Sequence, residues 1–338
     1  MARTLFNADF VAPRWLKNRQ LQTLAPHFLW RNTPRFDTEL LDLPDGDVLE
    51  LGWSVPSTTV ANTPLLVILT EEESSLLRSP STRALLAAAA RKGWRAVVMH
   101  FRGCGKIQNR SSRGYHAGDT ADAYWLMSML ARRFPQAPKV AIGFSVGGNV
   151  LLKLAAEQGG DGLDIAGAIS VSAPLDLASH SDALNLGQAR RHQQRLLHRM
   201  RRRIERKREE KMLPLDISAQ QLHRLDTLWA FDNEITAPLY GFSSATDYYR
   251  RASAGALLDR LELPTLILHA QDDPYVPGDI FMRLPLPSAN VRIELARHGG
   301  HLGFVEQHKG LPHSWMIDRI MAQVERWVEM PELHVVYP

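Results

Sequence analysis

Six short apolar runs, Leu65–Leu69, Ala96–Phe101, Val140–Phe144, Ile165–Val171, Leu266–Ala270 and Val291–Leu295, constrain this chain more than any other feature. Each has the length of one strand: the first five are apolar almost throughout and read as strands buried in a sheet, and Val291–Leu295, where Arg292 and Glu294 alternate with apolar residues, reads as the last strand of the series. Segments with helical character separate several of them: Thr82–Arg91, stopped by Gly93, then Thr120–Phe134 and Val146–Glu157, with Trp315–Val328 closing the series. Strands alternating with helices at this interval predict an α/β fold, a mostly parallel central sheet flanked by helices. Ahead of it, Phe36–Val55 reads as two strands joined at Asp45-Gly46, a hairpin signal.

The alternation breaks between Leu175 and Gly255 and then resumes. The break is expected to be a helical cap inserted over the sheet, so that residues 1–174 and 256–338 form the core with an N-terminal arm and residues 175–255 form the cap. Within the arm, Phe28, Leu29 and Trp30 are expected to pack back onto the body.

Charge is uneven along the chain. The 40 basic and 36 acidic residues give +4, but Arg190–Lys211 holds nine Arg and two Lys against three Glu. That window is +8 and everything else is −4. Leu196, Leu197, Met200, Ile204 and Met212 can share part of one helical face, so the run reads first as a charged helix with an apolar seam. Contact with an anionic membrane surface through Arg190–Lys211 stays open as a second use. No nucleic-acid partner is expected, because no recognised nucleic-acid module accompanies the run. Cys104 is the single cysteine, which excludes an intrachain disulfide and a multi-thiolate metal site. The opening residues carry no long apolar run before a small-residue cleavage signature, and no segment approaches the roughly 18 apolar residues of a membrane span. The expected location is cytoplasmic, peripheral to a membrane if the basic run binds one. Oligomeric state is not encoded in any recognisable segment.

The sharpest local signal is Gly143-Phe144-Ser145-Val146-Gly147, a G-x-S-x-G sequence between a predicted strand and a predicted helix. Small residues there permit the tight turn that lifts a serine hydroxyl above a sheet, which makes Ser145 the candidate nucleophile. A serine needs a base to take its proton, and the base needs a third group to fix its tautomer. Asp273 follows the strand ending at Ala270, and His301 follows the strand ending at Leu295, both where loops leave the carboxyl ends of parallel strands. Asp272 and His298 are the neighbouring alternatives, and His298-Gly-Gly-His301 also admits a metal pair. Cys104 reads as a packed thiol rather than a second nucleophile.

With these motifs the chain resembles the α/β-hydrolase superfamily, and within it the AB-hydrolase 4 group of YheT-like bacterial hydrolases and related abhydrolase-domain proteins. The resemblance spans most of residues 25–330, through His100–Gly105, Gly143–Asn149, Val171–Leu177, His269–Pro277 and His298–Phe304. It implies that Ser145, Asp273 and His301 form a charge-relay triad without metal or organic cofactor. The implied activity is hydrolysis of a small acyl-ester or lipid-like substrate through an acyl-enzyme, as an esterase or lipase. The same serine would equally serve a thioesterase, amidase or acyltransferase, and a catalytically weak scaffold binding a lipid or protein is the non-enzymatic alternative. Trp229, Phe231, Tyr240 and Phe242 offer apolar surface either to a substrate or to the cap's own core.

One segment departs from the family. After the first buried strand similar proteins carry a His-Gly-containing loop, whereas this chain reads Thr70-Glu71-Glu72-Glu73. In the family that loop contributes one backbone N–H of the oxyanion hole and the residue after the nucleophile the other, so the resemblance implies Val146 as one donor and Thr70 or Glu71 as the second if the turn keeps its shape. Acids beside a developing oxyanion are unfavourable unless they point outward, so the loop predicts weak turnover or an unusual conformation.

Overall fold

The computed structural model describes residues 4–54 and 59–329. Nine strands form one sheet: β1 (Leu5–Asn7), β2 (Phe36–Asp42), β3 (Val48–Ser54), β4 (Leu65–Leu69), β5 (Arg95–Met99), β6 (Lys139–Phe144), β7 (Gly167–Val171), β8 (Thr265–Ala270) and β9 (Val291–Ala296). Their spatial order is β1-β9-β8-β7-β6-β4-β5-β3-β2. All neighbours from β1 to β5 run parallel, and β3 and β2 are antiparallel. The six apolar runs are therefore strands, the expected hairpin is β2–β3, and Val55 lies outside the described residues.

Side-chain alternation within each buried strand divides the core into two layers. Leu65, Val67 and Leu69 point to one face with Val97, Met99 and Ala141. Leu66 and Ile68 point to the other with Val98, Ile142 and Phe144. Helices cover both: α3 (Ala121–Arg133) and α4 (Val146–Gln158) on the first, α2 (Pro80–Arg91) and the C-terminal helix (Trp315–Glu329) on the second. The α2 helix begins two residues before the predicted start because Ser79 caps it, accepting from the Thr82 N–H, and Pro80 fits the first turn.

The arm differs from expectation. Its residues Arg19–Leu29 form a helix, here α1, and Leu5–Asn7 adds the parallel edge strand β1 beside β9. Phe28 and Leu29 stay exposed, while Gln22, Thr23 and Pro26 are the buried residues of α1. An antiparallel pair, β10 (Val305–His308) and β11 (Leu311–Ser314), was also not foreseen.

Between β7 and β8 the chain forms the helical insertion: α5 (Leu177–Leu184), α6 (Ala189–Glu209), α7 (Ala219–Arg224), α8 (Leu228–Phe231), a π-helical turn (Asp232–Thr236), α9 (Ala237–Leu239) and α10 (Ala245–Ala252). Numbering the C-terminal helix α11 completes the series. Four of the five predicted seam residues of α6 pack inward: Leu196, Leu197, Met200 and Ile204 are buried, whereas Met212 lies past the helix end at Glu209 and is half-buried. The insertion is tied to the core by hydroxyls and one ammonium. Tyr240 and Tyr248 accept from the Gly114 and Ala117 N–H groups, and Lys207 donates to the carbonyls of Ser111, Ser112 and Arg113. No helix among the described residues is long and apolar enough to cross a membrane.

Candidate active site

Strand register brings the candidate residues to one edge of the sheet. Leu69 of β4 lies beside Gly143 of β6, Phe144 beside Val171 of β7, and Ala270 of β8 beside Ala296 of β9. The loops that follow these ends carry Thr70, Ser145, Asp273 and His301.

Ser145 occupies a sharp turn at φ +52°, ψ −123°, a backbone region that non-glycine residues rarely enter. The flanking glycines make the turn sterically feasible. A Cβ on Gly143 would lie 2.4 Å from the Gly147 carbonyl oxygen, and one on Gly147 would lie 2.5 Å from the carbonyl oxygens of both Leu69 and Thr70. The turn thus presses against the end of β4, with the loop beginning at Thr70 next to the start of α4. Val146 opens α4, where backbone N–H groups have no helical carbonyl behind them and the helix dipole favours negative charge.

Asp273 is buried and anchored. One carboxylate oxygen accepts from the Tyr275 and Val276 N–H groups at 2.8 and 3.0 Å, and the other faces His301 Nδ1 at 2.8 Å. Burial alone would raise its pKa, but the charge and hydrogen bond of His301 outweigh burial and hold it below the ordinary carboxylate value. The neighbouring alternatives pair with each other instead: Asp272 faces His298 Nδ1 at 3.3 Å and accepts from the Gly300 N–H at 3.0 Å. The two histidines of the His-Gly-Gly-His sequence therefore go to different carboxylates. His301, not His298, shares a cavity of about 200 Å³ with Ser145.

Residues unforeseen in sequence hold the histidine loop. The His301 N–H donates to Thr23 Oγ1 at 2.9 Å, and the Gln22 side chain both donates to the Val305 carbonyl and accepts from the Val305 N–H at 2.9 Å. A Cβ at Gly300 would meet the Arg19 carbonyl oxygen at 2.4 Å, so α1 fits directly against the loop. On the other side Tyr275 packs against His301, with ring centroids 5.1 Å apart, and His192 of α6 stacks on Tyr275 at 4.0 Å. Burial and then the charge of His301 lower His192 to about 3, and burial lowers His180 to about 4. Both rings are therefore neutral at pH 7.

The three acids after β4 do not point outward. Glu73, at φ +50°, is buried and ion-paired with Arg203 of α6. Its N–H donates to Tyr115 Oη at 2.8 Å. Glu71 accepts from Ser79 Oγ at 2.6 Å, and burial holds its carboxyl above the ordinary value. Glu72, which lines the cavity, is pushed up to about 8 by burial and by the nearby Asp232 and Glu73. The loop thus limits negative charge by pairing one acid and raising the pKa of the other two.

Two other sequence candidates are placed elsewhere. Burial drives the Cys104 thiol up to about 12, which makes it a poor nucleophile. Of the insertion aromatics, Phe231 is buried in the insertion's core and Phe242 packs on His116 and Tyr248. Tyr240 accepts from Gly114, and Trp229 is 47% exposed. None of the four lines the cavity around Ser145.

A sequence profile described as the alpha/beta hydrolase fold matches residues 73–307. The chain is 38% identical to "Putative esterase YheT" of Escherichia coli K12 over 325 residues, covering 96% of this chain and 95% of that one. It is 29% identical to "Monoacylglycerol lipase" of Saccharomyces cerevisiae, covering 73% of this chain and 56% of the yeast protein. Among solved structures, the Pyrococcus furiosus esterase Pf2001 superposes with a TM-score of 0.54 at 14% identity, over 97% of this chain and 100% of that one. With the parallel sheet, the serine on its strand-to-helix turn and the helical insertion, these matches establish that the chain belongs to the α/β-hydrolase family.

Proposed function

We propose that this protein is a serine-dependent carboxylic ester hydrolase of the AB-hydrolase 4, YheT-like group, with Ser145, His301 and Asp273 as its triad. The observation that carries the reading is His301, which meets a buried, anchored Asp273 at 2.8 Å through Nδ1 and lines the same cavity as Ser145. In the proposed reaction His301 Nε2 takes the Ser145 proton as Oγ attacks the ester carbonyl. Asp273 stabilises the resulting imidazolium. The oxyanion is received by the Val146 N–H and by an N–H of Thr70 or Glu71, and the α4 dipole adds to both. The tetrahedral intermediate collapses when His301 returns the proton to the leaving alcohol. Water, deprotonated by the same ring, then attacks the acyl-enzyme, and the proton passes back to Ser145 as the acid leaves.

The names of the E. coli and yeast relatives, an esterase and a monoacylglycerol lipase, support an ester of modest size as substrate. Purified protein should hydrolyse para-nitrophenyl esters across a series of acyl lengths. Ser145→Ala should lower kcat by about 10⁴-fold or more. Equal rates in the two proteins would remove Ser145 as the nucleophile.

A further inference from the structure

The basic run of α6 is not a uniform charged surface. His192, Arg195, Leu196 and Arg199 all line the Ser145 cavity, at the i, i+3, i+4, i+7 spacing of one helical face. Arg203 and Lys207, further along α6, instead lock the insertion to the core. Among the described residues neither Arg195 nor Arg199 has a carboxylate at ion-pair distance, and the one polar contact of the Arg199 guanidinium is the Glu73 carbonyl at 3.3 Å. Arg78, from the segment between β4 and α2, lines the same cavity and donates to the Cys104 carbonyl at 2.8 Å. Three guanidiniums thus face a cavity whose two lining acids are Glu71 and Glu72.

We propose that the Arg195–Arg199 face of α6 is an anion subsite of this cavity, selecting esters that carry a phosphate or carboxylate remote from the scissile carbonyl. The inference rests on the serine-hydrolase reading and adds a substrate class to it. Guanidinium forks match the geometry of both oxyanions, and both side chains are exposed, so the anion of a ligand can reach them. Leu196, between the two arginines on the same face, offers apolar contact to the chain that joins the anion to the ester. The raised pKa of Glu72 lessens the opposing charge at neutral pH. An anion on the acyl side and one on the alcohol side are both compatible with the shared chemistry.

Two matched pairs separate these sources. On the acyl side, the para-nitrophenyl monoester of glutaric acid is compared with para-nitrophenyl valerate. On the alcohol side, lysophosphatidic acid is compared with the monoacylglycerol of the same chain. At low salt kcat/KM should favour the anionic member of at least one pair by about tenfold. The preference should shrink at high salt and fall at least about fivefold in Arg195→Gln/Arg199→Gln, with circular dichroism confirming that the variant is folded. Equal kcat/KM within both pairs, or a preference unaltered in the double variant, would overturn the subsite. Calorimetric binding of lysophosphatidic acid and glutarate monoester to Ser145→Ala reads the subsite without turnover. Arginine-dependent binding in a protein that hydrolyses none of the four esters would retain the subsite and overturn the hydrolase reading. Binding that ignores the arginines would overturn the subsite alone.

Discussion

At the scale of single residues, the distinction that matters most is between two adjacent acid–imidazole pairs. Asp272 with His298 and Asp273 with His301 look interchangeable in sequence. The structure separates them by anchoring: Asp273 is held by two N–H donors and buried, while His298 is partly exposed and its acid braces the Gly300 N–H. His301→Gln is therefore expected to lower kcat by about a thousandfold or more, whereas His298→Gln should keep kcat within about tenfold. Steady-state kinetics on one para-nitrophenyl ester measures both, and the reverse ordering would reassign the base. The clustering of Ser145, Asp273 and His301 at one edge of the sheet was readable because each lies just after a buried strand, where topology dictates position. The arginines that line the cavity were not, because a charge run gives no sign of which helical face docks downward.

Among elements, the acidic loop after β4 and the basic helix α6 are two halves of one contact. Each seemed a liability in sequence: carboxylates near an oxyanion, and a dense cationic run. Glu73 and Arg203 neutralise each other, with the Tyr115 hydroxyl beside the acid and the Tyr115 ring 4.8 Å below the guanidinium. Arg203→Met should destabilise the protein by about 3–5 kcal/mol, since it strands a buried carboxylate. Glu73→Gln/Arg203→Met should recover most of that loss, and urea unfolding of the three proteins provides the comparison. An additive double variant would contradict the coupling. The strands and main helices were legible because apolar runs and helical spacing are local signals. The support from α1 was not: the Gln22 amide meets its partner Val305 across 283 positions, and nothing near Gln22 announces it. The edge strand β1 has three residues and partly exposed side chains, so main-chain pairing with β9 defines it rather than any apolar pattern. Gln22→Ala is predicted to lower kcat more than it raises KM, because Gln22 holds the His301 loop through Val305 without itself lining the cavity.

For the whole molecule, the uneven charge of the sequence becomes an internal arrangement. The +8 of Arg190–Lys211 sits on the helical insertion, whose other charges bring residues 175–255 to +4, while residues 1–174 and 256–338 sum to zero. Part of it is consumed at the contact, and part is turned toward the cavity. Stability should carry the signature of Glu72. The folded protein retains the Glu72 proton up to about 8, against an ordinary value of 4.5, so folding binds the proton more tightly than the unfolded chain does. That contribution is complete below about pH 4.5 and is lost as pH rises toward 8. Glu72→Gln should therefore melt a few degrees above the parent protein at pH 9, with the gap closing near pH 4, in thermal scans at roughly constant ionic strength. A gap independent of pH would place the effect elsewhere.

Everything proposed for the cavity depends on Ser145 being a nucleophile made reactive by His301 and Asp273. Labelling with a fluorophosphonate probe, followed by intact-mass and peptide mass spectrometry, tests it most directly. One phosphonyl adduct is expected, located on Ser145, formed rapidly in the parent protein, at least about a hundredfold more slowly in His301→Gln, and not at all in Ser145→Ala. An adduct on another residue, or a folded parent protein with its cavity accessible that takes no label, would contradict it.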